Sequence, residues 1–203
     1  MFFKQIKHRG DNFSYIIADE TTKEAAVIDP SFNTEAIIQI LKRHNFKLKY
    51  IINTHGHVDH TAGNQELQEI FNAKIVAHKN SRISKHISVE DGDTIKIGKV
   101  IITVIHTPGH TPDSLCLLTS GKLLTGDTLF VGECGRTDLP GGSAEDMYNS
   151  LFNKILELSD DIEVYPGHDY GERPYSTISE ERKTNYTLQK RTLAEFIEFM
   201  KQP

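Results

Sequence analysis

A chain of 203 residues, 37% hydrophobic and 25% charged, is long enough to bury a core without disulfide staples. Its formal charge of −5, with no block of like charges, leaves out the basic face that a nucleic-acid binder presents. The two cysteines form no C-x-x-C pair, and no apolar run approaches membrane-spanning length, so a cytoplasmic protein in a reducing compartment is expected.

Strands and helices alternate along the chain. Phe13 to Ala18 and Ala25 to Ile28 read as short strands across the polar turn Asp19-Glu20-Thr21-Thr22. Asn33 can cap a helix in which Ile37, Ile40, Leu41 and His44 recur at helical spacing. Leu48 to Asn53 is the next strand, and Leu67, Ile70 and Phe71 mark a second helix. Two hairpins follow. One joins Ile95–Ile97 to Val100–Ile105 across Gly98-Lys99, and the other joins Leu115–Leu118 to Leu123-Leu124 across Ser120-Gly121. Ser143 can cap a longer helix carrying Met147, Leu151, Ile155 and Leu158 on one face. Ile162 to Tyr165 reads as the last strand, and Leu193, Phe196, Ile197 and Met200 as a C-terminal amphipathic helix. No linker or repeat interrupts this pattern, so residues 1–203 are expected to form one domain. Hairpin strands on both sides of central helical segments suggest an α/β fold with two mixed β-sheets covered by helices.

The chemistry collects where strands end. The strand ending at Asn53 runs into Thr54-His55-Gly56-His57-Val58-Asp59-His60. Three later strands run into Gly109-His110, Gly126-Asp127 and Gly167-His168. Glycine lets the chain turn sharply and bring the next side chain inward, and loops held by a rigid sheet are the usual seat of catalytic groups. His55 and His57, two apart, point the same way in an extended segment. Imidazole and carboxylate together suit zinc, iron and related ions. Seven candidates (His55, His57, Asp59, His60, His110, Asp127 and His168) exceed one tetrahedral ion and suit two, with Asp127 between them. His8, His44, His78, His86 and His106 stand alone and read as ordinary hydrogen-bonded histidines. Cys116, in an apolar run, reads as a small hydrophobe.

The segment His55-Gly56-His57-Val58-Asp59-His60 resembles the H-x-H-x-D-H signature of the metallo-β-lactamase superfamily, and His110, Asp127 and His168 fall in that family's order. The resemblance covers nearly the whole chain. It implies an αββα sandwich with metals at one edge, His55, His57 and His110 on one ion, Asp59, His60 and His168 on the other, and Asp127 bridging. Within the family, Thr125-Gly126-Asp127-Thr128-Leu129-Phe130 is similar to both glyoxalase II-like thioesterases and persulfide dioxygenases. Gly135-Arg136-Thr137-Asp138 and Pro166-Gly167-His168-Asp169-Tyr170 look more like the dioxygenases.

A metal-dependent hydrolase acting on a thioester is the first reading. A bound divalent ion lowers the pKa of water to about 7, two ions can clamp the hydroxide, and Asp59 would orient it and relay its proton. The cofactor would be two Zn(2+) ions or a Zn/Fe pair. The alternative is a mononuclear Fe(2+) persulfide dioxygenase using His55, His110 and Asp127 as a 2-His-1-carboxylate triad. A non-catalytic metal-binding module is the third reading, although retention of all seven ligands argues against it. Arg136, nine residues after Asp127, can pair with a substrate carboxylate or with Asp138. Tyr170 can donate to substrate or pack as an aromatic. The expected partner is a small thiol-derived molecule, with no nucleic acid and no membrane, and the chain can form a homo-oligomer.

Overall fold

In the computed structural model, which describes residues 1–201, two six-stranded mixed sheets pack face to face. The first runs in the spatial order β1 (Phe2–Lys7), β2 (Phe13–Ala18), β3 (Glu24–Ile28), β4 (Lys47–Ile52), β5 (Lys74–His78), β6 (Ile87–Val89). Its first two pairings are antiparallel and the remaining three parallel. The second sheet runs β12 (Ser176–Thr177), β11 (Glu163–Pro166), β10 (Lys122–Gly126), β9 (Leu115–Thr119), β8 (Val100–His106), β7 (Thr94–Ile97). Only β10 and β11 are parallel there. Both expected hairpins are present, and Ser120 and Gly121 both take positive φ, as a tight two-residue hairpin turn requires.

Alternation along the strands sends one set of side chains between the sheets, where Ile17, Ile28, Ile52, Ile102, Leu117 and Leu124 form the inner core. The opposite faces are covered by helices. On the first sheet, α1 (Glu35–Arg43) and α3 (Asn64–Phe71) bury Ile37, Leu41 and Leu67 against Ile16, Val27 and Ile51. The four-residue α2 (Val58–Thr61) lies between them in sequence. On the second sheet, α4 (Ala144–Asn153), α5 (Ile178–Thr184) and α6 (Leu193–Phe199) bury Met147, Leu151, Ile178 and Phe196 against Cys116, Leu123 and Val164. The αββα sandwich read from the sequence is therefore the observed architecture. No described helix is long and apolar enough to cross a membrane.

Several local expectations are corrected. Asn33 caps α1 one residue early: its Oδ1 accepts from the Glu35 amide at 3.1 Å while Thr34 flanks the helix. His44 does not bury with Ile37 and Leu41; it stacks nearly flat on Phe46, with ring centroids 5.3 Å apart and 11° between the planes. Helix α4 stops at Asn153, because Lys154 (φ −128°, ψ −63°) leaves the helical region, and Ile155 continues the apolar face from a 3₁₀ turn. Leu158 lies beyond that turn. Ile162–Tyr165 is followed by one more strand, β12. β1, β5 and β6 were not anticipated. β1 and β6 are edge strands with partly exposed faces, so their apolar pattern is weak.

Candidate metal centre

The parallel pairs β3–β4 and β10–β11 bring four strand C-termini to one edge of the sandwich. There the two sheets are tied by backbone hydrogen bonds from Leu115 N–H to Thr54 C=O and from Phe13 N–H to Gly167 C=O, both at 2.8 Å, while Gly167 N–H to Gly126 C=O at 2.8 Å joins the ends of β11 and β10 within the second sheet. The loops after β4, β8, β10 and β11 thus face one another. Two glycines are needed for this closeness. Gly126 has φ +48°, and a Cβ there would lie 2.5 Å from Thr54 Oγ1. A Cβ on Gly167 would lie 2.5 Å from Asp127 Oδ1 and 2.9 Å from His60 Cε1.

All seven candidates meet at this edge. His55 Nε2 and His110 Nε2 each lie 3.0 Å from His57 Nδ1. Three imidazole nitrogens on one zinc ion stand roughly 3.0–3.4 Å apart, given bonds of about 2.0–2.1 Å. Asp59 Oδ2, His60 Nε2 and His168 Nε2 form a second triangle with sides of 3.4, 3.1 and 3.3 Å. Asp127 lies between them: Oδ1 is 3.3 Å from His60 Nε2, and Oδ2 is 3.6 Å from His110 Nε2 and 3.3 Å from His168 Nε2. Asp127 Oδ1 is buried without a hydrogen-bond partner. Such an orphan is costly unless something satisfies it, and a cation does so. Histidine and carboxylate donors at these separations fit two transition-metal ions, one on His55, His57 and His110 and one on Asp59, His60 and His168.

Outer contacts aim these rings. The His110 Nδ1–H donates to the Arg136 carbonyl at 2.9 Å, which turns Nε2 inward. His60 Nδ1 lies 3.1 Å from Asp29 Oδ2, and His168 Nδ1 lies 3.2 Å from Asp11 Oδ1. A carboxylate behind an imidazole fixes its tautomer and raises its basicity as a ligand. Asp29 also accepts from the Thr54 amide at 2.7 Å and the Thr54 hydroxyl at 2.6 Å, and Asn12 Nδ2 donates to Asp59 Oδ2 at 3.0 Å. Sequence reasoning passed over Asp11, Asn12 and Asp29. Asp29 carried a signal, since it follows strand β3 as the ligands follow theirs; Asp11 and Asn12 carried none.

The charges divide the cluster. Burial pushes His55 and His57 below the ordinary imidazole pKa, with neighbouring imidazoles adding to the effect. Burial acts against charge on His60 and His168 as well, but Asp127, with Asp29 or Asp59, outweighs it. His60 is raised well above its usual value and His168 to about 10. Burial likewise opposes ionisation of Asp59 and Asp127, yet the adjacent His60 and His168 hold both well below the usual carboxylate range.

The five solitary histidines stay outside the cluster. His8 bonds Ser14 at 2.6 Å, His86 bonds Gln68 at 3.1 Å, and His78 stacks on His106 with centroids 4.0 Å apart. Cys116 and Cys134 are free and buried, and burial raises their thiols to about 11 and about 12. Arg136 makes the internal pair, with Nε and one terminal nitrogen each 2.6 Å from Asp138. Tyr170 lies flat on His168, with centroids 4.9 Å apart and planes 4° apart, and meets Phe130 edge-on. A cleft of about 1040 Å³ opens from His110 and Asp127 past Arg136 and Tyr170 toward α6.

The chain is similar to several known proteins. The chain is 36% identical over 194 residues to the probable polyketide biosynthesis zinc-dependent hydrolase BaeB of Bacillus velezensis, covering 93% of this chain and 86% of that one. It is 35% identical over 194 residues to the human mitochondrial persulfide dioxygenase ETHE1, covering 93% and 75%. The crystal structure of ETHE1 from Myxococcus xanthus superposes with a TM-score of 0.95 at 34% identity, covering 100% of this chain and 91% of that one. The Metallo-beta-lactamase superfamily model matches residues 9–168, and with the sandwich and the ligand-bearing edge in place the chain belongs to that superfamily of enzymes.

Proposed function

We propose that the protein is a thioester hydrolase working with two divalent ions. One observation carries this reading: two complete donor triangles flank Asp127, whose buried Oδ1 has no hydrogen-bond partner. The imidazoles of the second triangle are already aimed by Asp29 and Asp11. Ions held there supply Lewis acidity, making water nucleophilic near neutral pH and polarising a carbonyl oxygen. The chain's own groups do the rest. Asp59, about one-third exposed, orients the attacking water and relays its proton to the departing sulfur. Asn12 holds Asp59 in place through its Oδ2. Thiolate is a good leaving group, so no stronger acid is required. Tyr170 and Arg136 border the approach, with the Tyr170 hydroxyl, pushed up to about 12 mainly by burial, remaining a donor at neutral pH.

The likeness to ETHE1 proteins supports a second reading, an Fe(2+) persulfide dioxygenase built on His55, His110 and Asp127. Two assays separate the readings. The zinc-loaded protein is offered acyl thioesters, and the iron-loaded protein is offered glutathione persulfide under an oxygen electrode. Thioester cleavage without oxygen uptake is the expected result. Rapid oxygen uptake yielding sulfite, with no thioester cleaved, would replace the hydrolase with the dioxygenase.

A further inference from the structure

We propose that the cleft between the metal centre and α6 receives the apolar acyl chain of a thioester, and that Ile197, Phe199 and Met200 select its length. This assignment rests on the thioesterase reading and names its substrate class. The cleft starts at His110 and Asp127, so a chain lying in it places its carbonyl at the metal-facing donors. Ile197, Phe199 and Met200, at the C-terminal end of α6, also line it.

Away from His110 and Asp127, the buried lining is Phe130, Cys134 and Thr187, and Ile197, Phe199 and Met200 add half-buried apolar surface. Phe130 is 4% exposed and Cys134 is 6% exposed, and Cys134 Sγ lies 3.9 Å from Met200 Sδ. With its thiol held protonated by burial, Cys134 acts as a small hydrophobe. Charges sit at the exposed rim and already have partners. Arg136 is bound by Asp138 through two 2.6 Å contacts, and Lys201 Nζ lies 2.5 Å from Glu198. The Tyr186 hydroxyl donates to Glu133 at 2.9 Å. Among the described residues, both basic side chains that line the cleft are thus paired, and Glu133 and Asp138 add negative charge. A tripeptide thiol carrying two carboxylates finds no free cation there. A neutral hydrocarbon chain needs none.

The wall is anchored. Thr192 and Glu195 close a capping box at the start of α6, and Phe196, fully buried, packs on Tyr148 and Phe152. Arg191 lies 4.2 Å over the Phe199 ring. Phe199 and Met200, three and four residues after Phe196, pack against the same outer core and are only half-buried, so the part of each that lines the cleft is held in place.

The test uses the zinc-loaded full chain and N-acetylcysteamine thioesters from acetyl to decanoyl. Expected kcat/KM rises ~fourfold per methylene, the factor for burying one such group, until the cleft is full. Ile197→Lys, checked for an unchanged melting temperature, flattens the series. Calorimetric binding of uncleavable S-alkyl-N-acetylcysteamines of the same lengths provides a readout independent of turnover. Affinity that climbs with length in the wild type and not in Ile197→Lys supports the cleft assignment. Climbing affinity with no thioester cleaved removes the thioesterase reading and leaves the apolar-chain site. A flat series in both measurements, or S-hexylglutathione binding more tightly than S-hexyl-N-acetylcysteamine, overturns the assignment.

Discussion

Asp29 Oδ2 lies 3.1 Å from His60 Nδ1, and both side chains are almost wholly buried. Asp29 directly follows β3 in a left-handed backbone conformation (φ +49°), and the next strand in the sheet, β4, leads into the loop that carries His60. The contact fixes which His60 nitrogen faces His168 and Asp59. Asp29→Asn keeps the shape and removes the charge. It is expected to weaken metal binding at Asp59, His60 and His168 by about 10- to 100-fold, with the His55, His57 and His110 site retained. Zinc titration against a chelating dye reads both sites, and two undiminished affinities would rule out this role.

Gly167→Ala should damage the centre without touching a ligand. The added methyl would stand 2.5 Å from Asp127 Oδ1 and 2.9 Å from His60 Cε1, so the donors between the two triangles must move apart. The variant is expected to bind less than half the wild-type zinc and to lose most activity, by roughly 100-fold for a displacement near 1 Å. Elemental analysis alongside circular dichroism distinguishes this from global unfolding. Full metal content with native turnover would show that the loop yields.

Zinc uptake should release protons. In the metal-free protein His168 keeps its proton up to about pH 10, and His60 is shifted upward as well, whereas His55 and His57 are shifted downward. Ligation requires neutral imidazole, so an ion entering the second triangle must displace protons at pH 7. Affinity there is expected to climb with pH by about tenfold per unit for each proton displaced. Binding at His55 and His57 needs no such displacement. Calorimetry in buffers of different ionisation enthalpy counts the protons, and a count of zero at pH 7 would contradict these shifts.

Asp138 controls Arg136. The pair is exposed, so holding it together is worth little, and releasing it should cost little stability. Asp138→Asn frees the guanidinium at the rim and removes a negative charge. KM for S-lactoylglutathione is expected to fall about twofold to fivefold relative to a neutral thioester, the range of an exposed ion pair. Arg136→Ala should leave metal content unchanged and abolish that gain in the double variant. Equal KM changes for both substrates would mean that Arg136 only shapes the loop.

The seven donors were legible in the sequence because metal chemistry restricts residue type and local spacing: His55, His57, Asp59 and His60 share one loop, and glycine precedes His110, Asp127 and His168. Two sheets covered by helices were legible for a similar reason, since short runs of β-forming residues bounded by turn residues leave a local record, and the family resemblance supplied the αββα order. The partnership of Asp29 with His60 left none. It joins residues 31 positions apart and depends on the parallel register of β3 and β4, which is set by packing. The same holds for Asp11 behind His168, 157 positions away, and for the stop of α4 at Asn153, where an apolar pattern continued but the helix did not. Arg136 had two sequence readings, and only the folded loop brought Asp138 within 2.6 Å. The cleft wall, finally, exists because Phe196 docks in the outer core with Phe199 and Met200 packed beside it, and these half-buried side chains line the cleft together with Ile197; which cavity a helix end borders is set by tertiary packing, which periodicity alone leaves open.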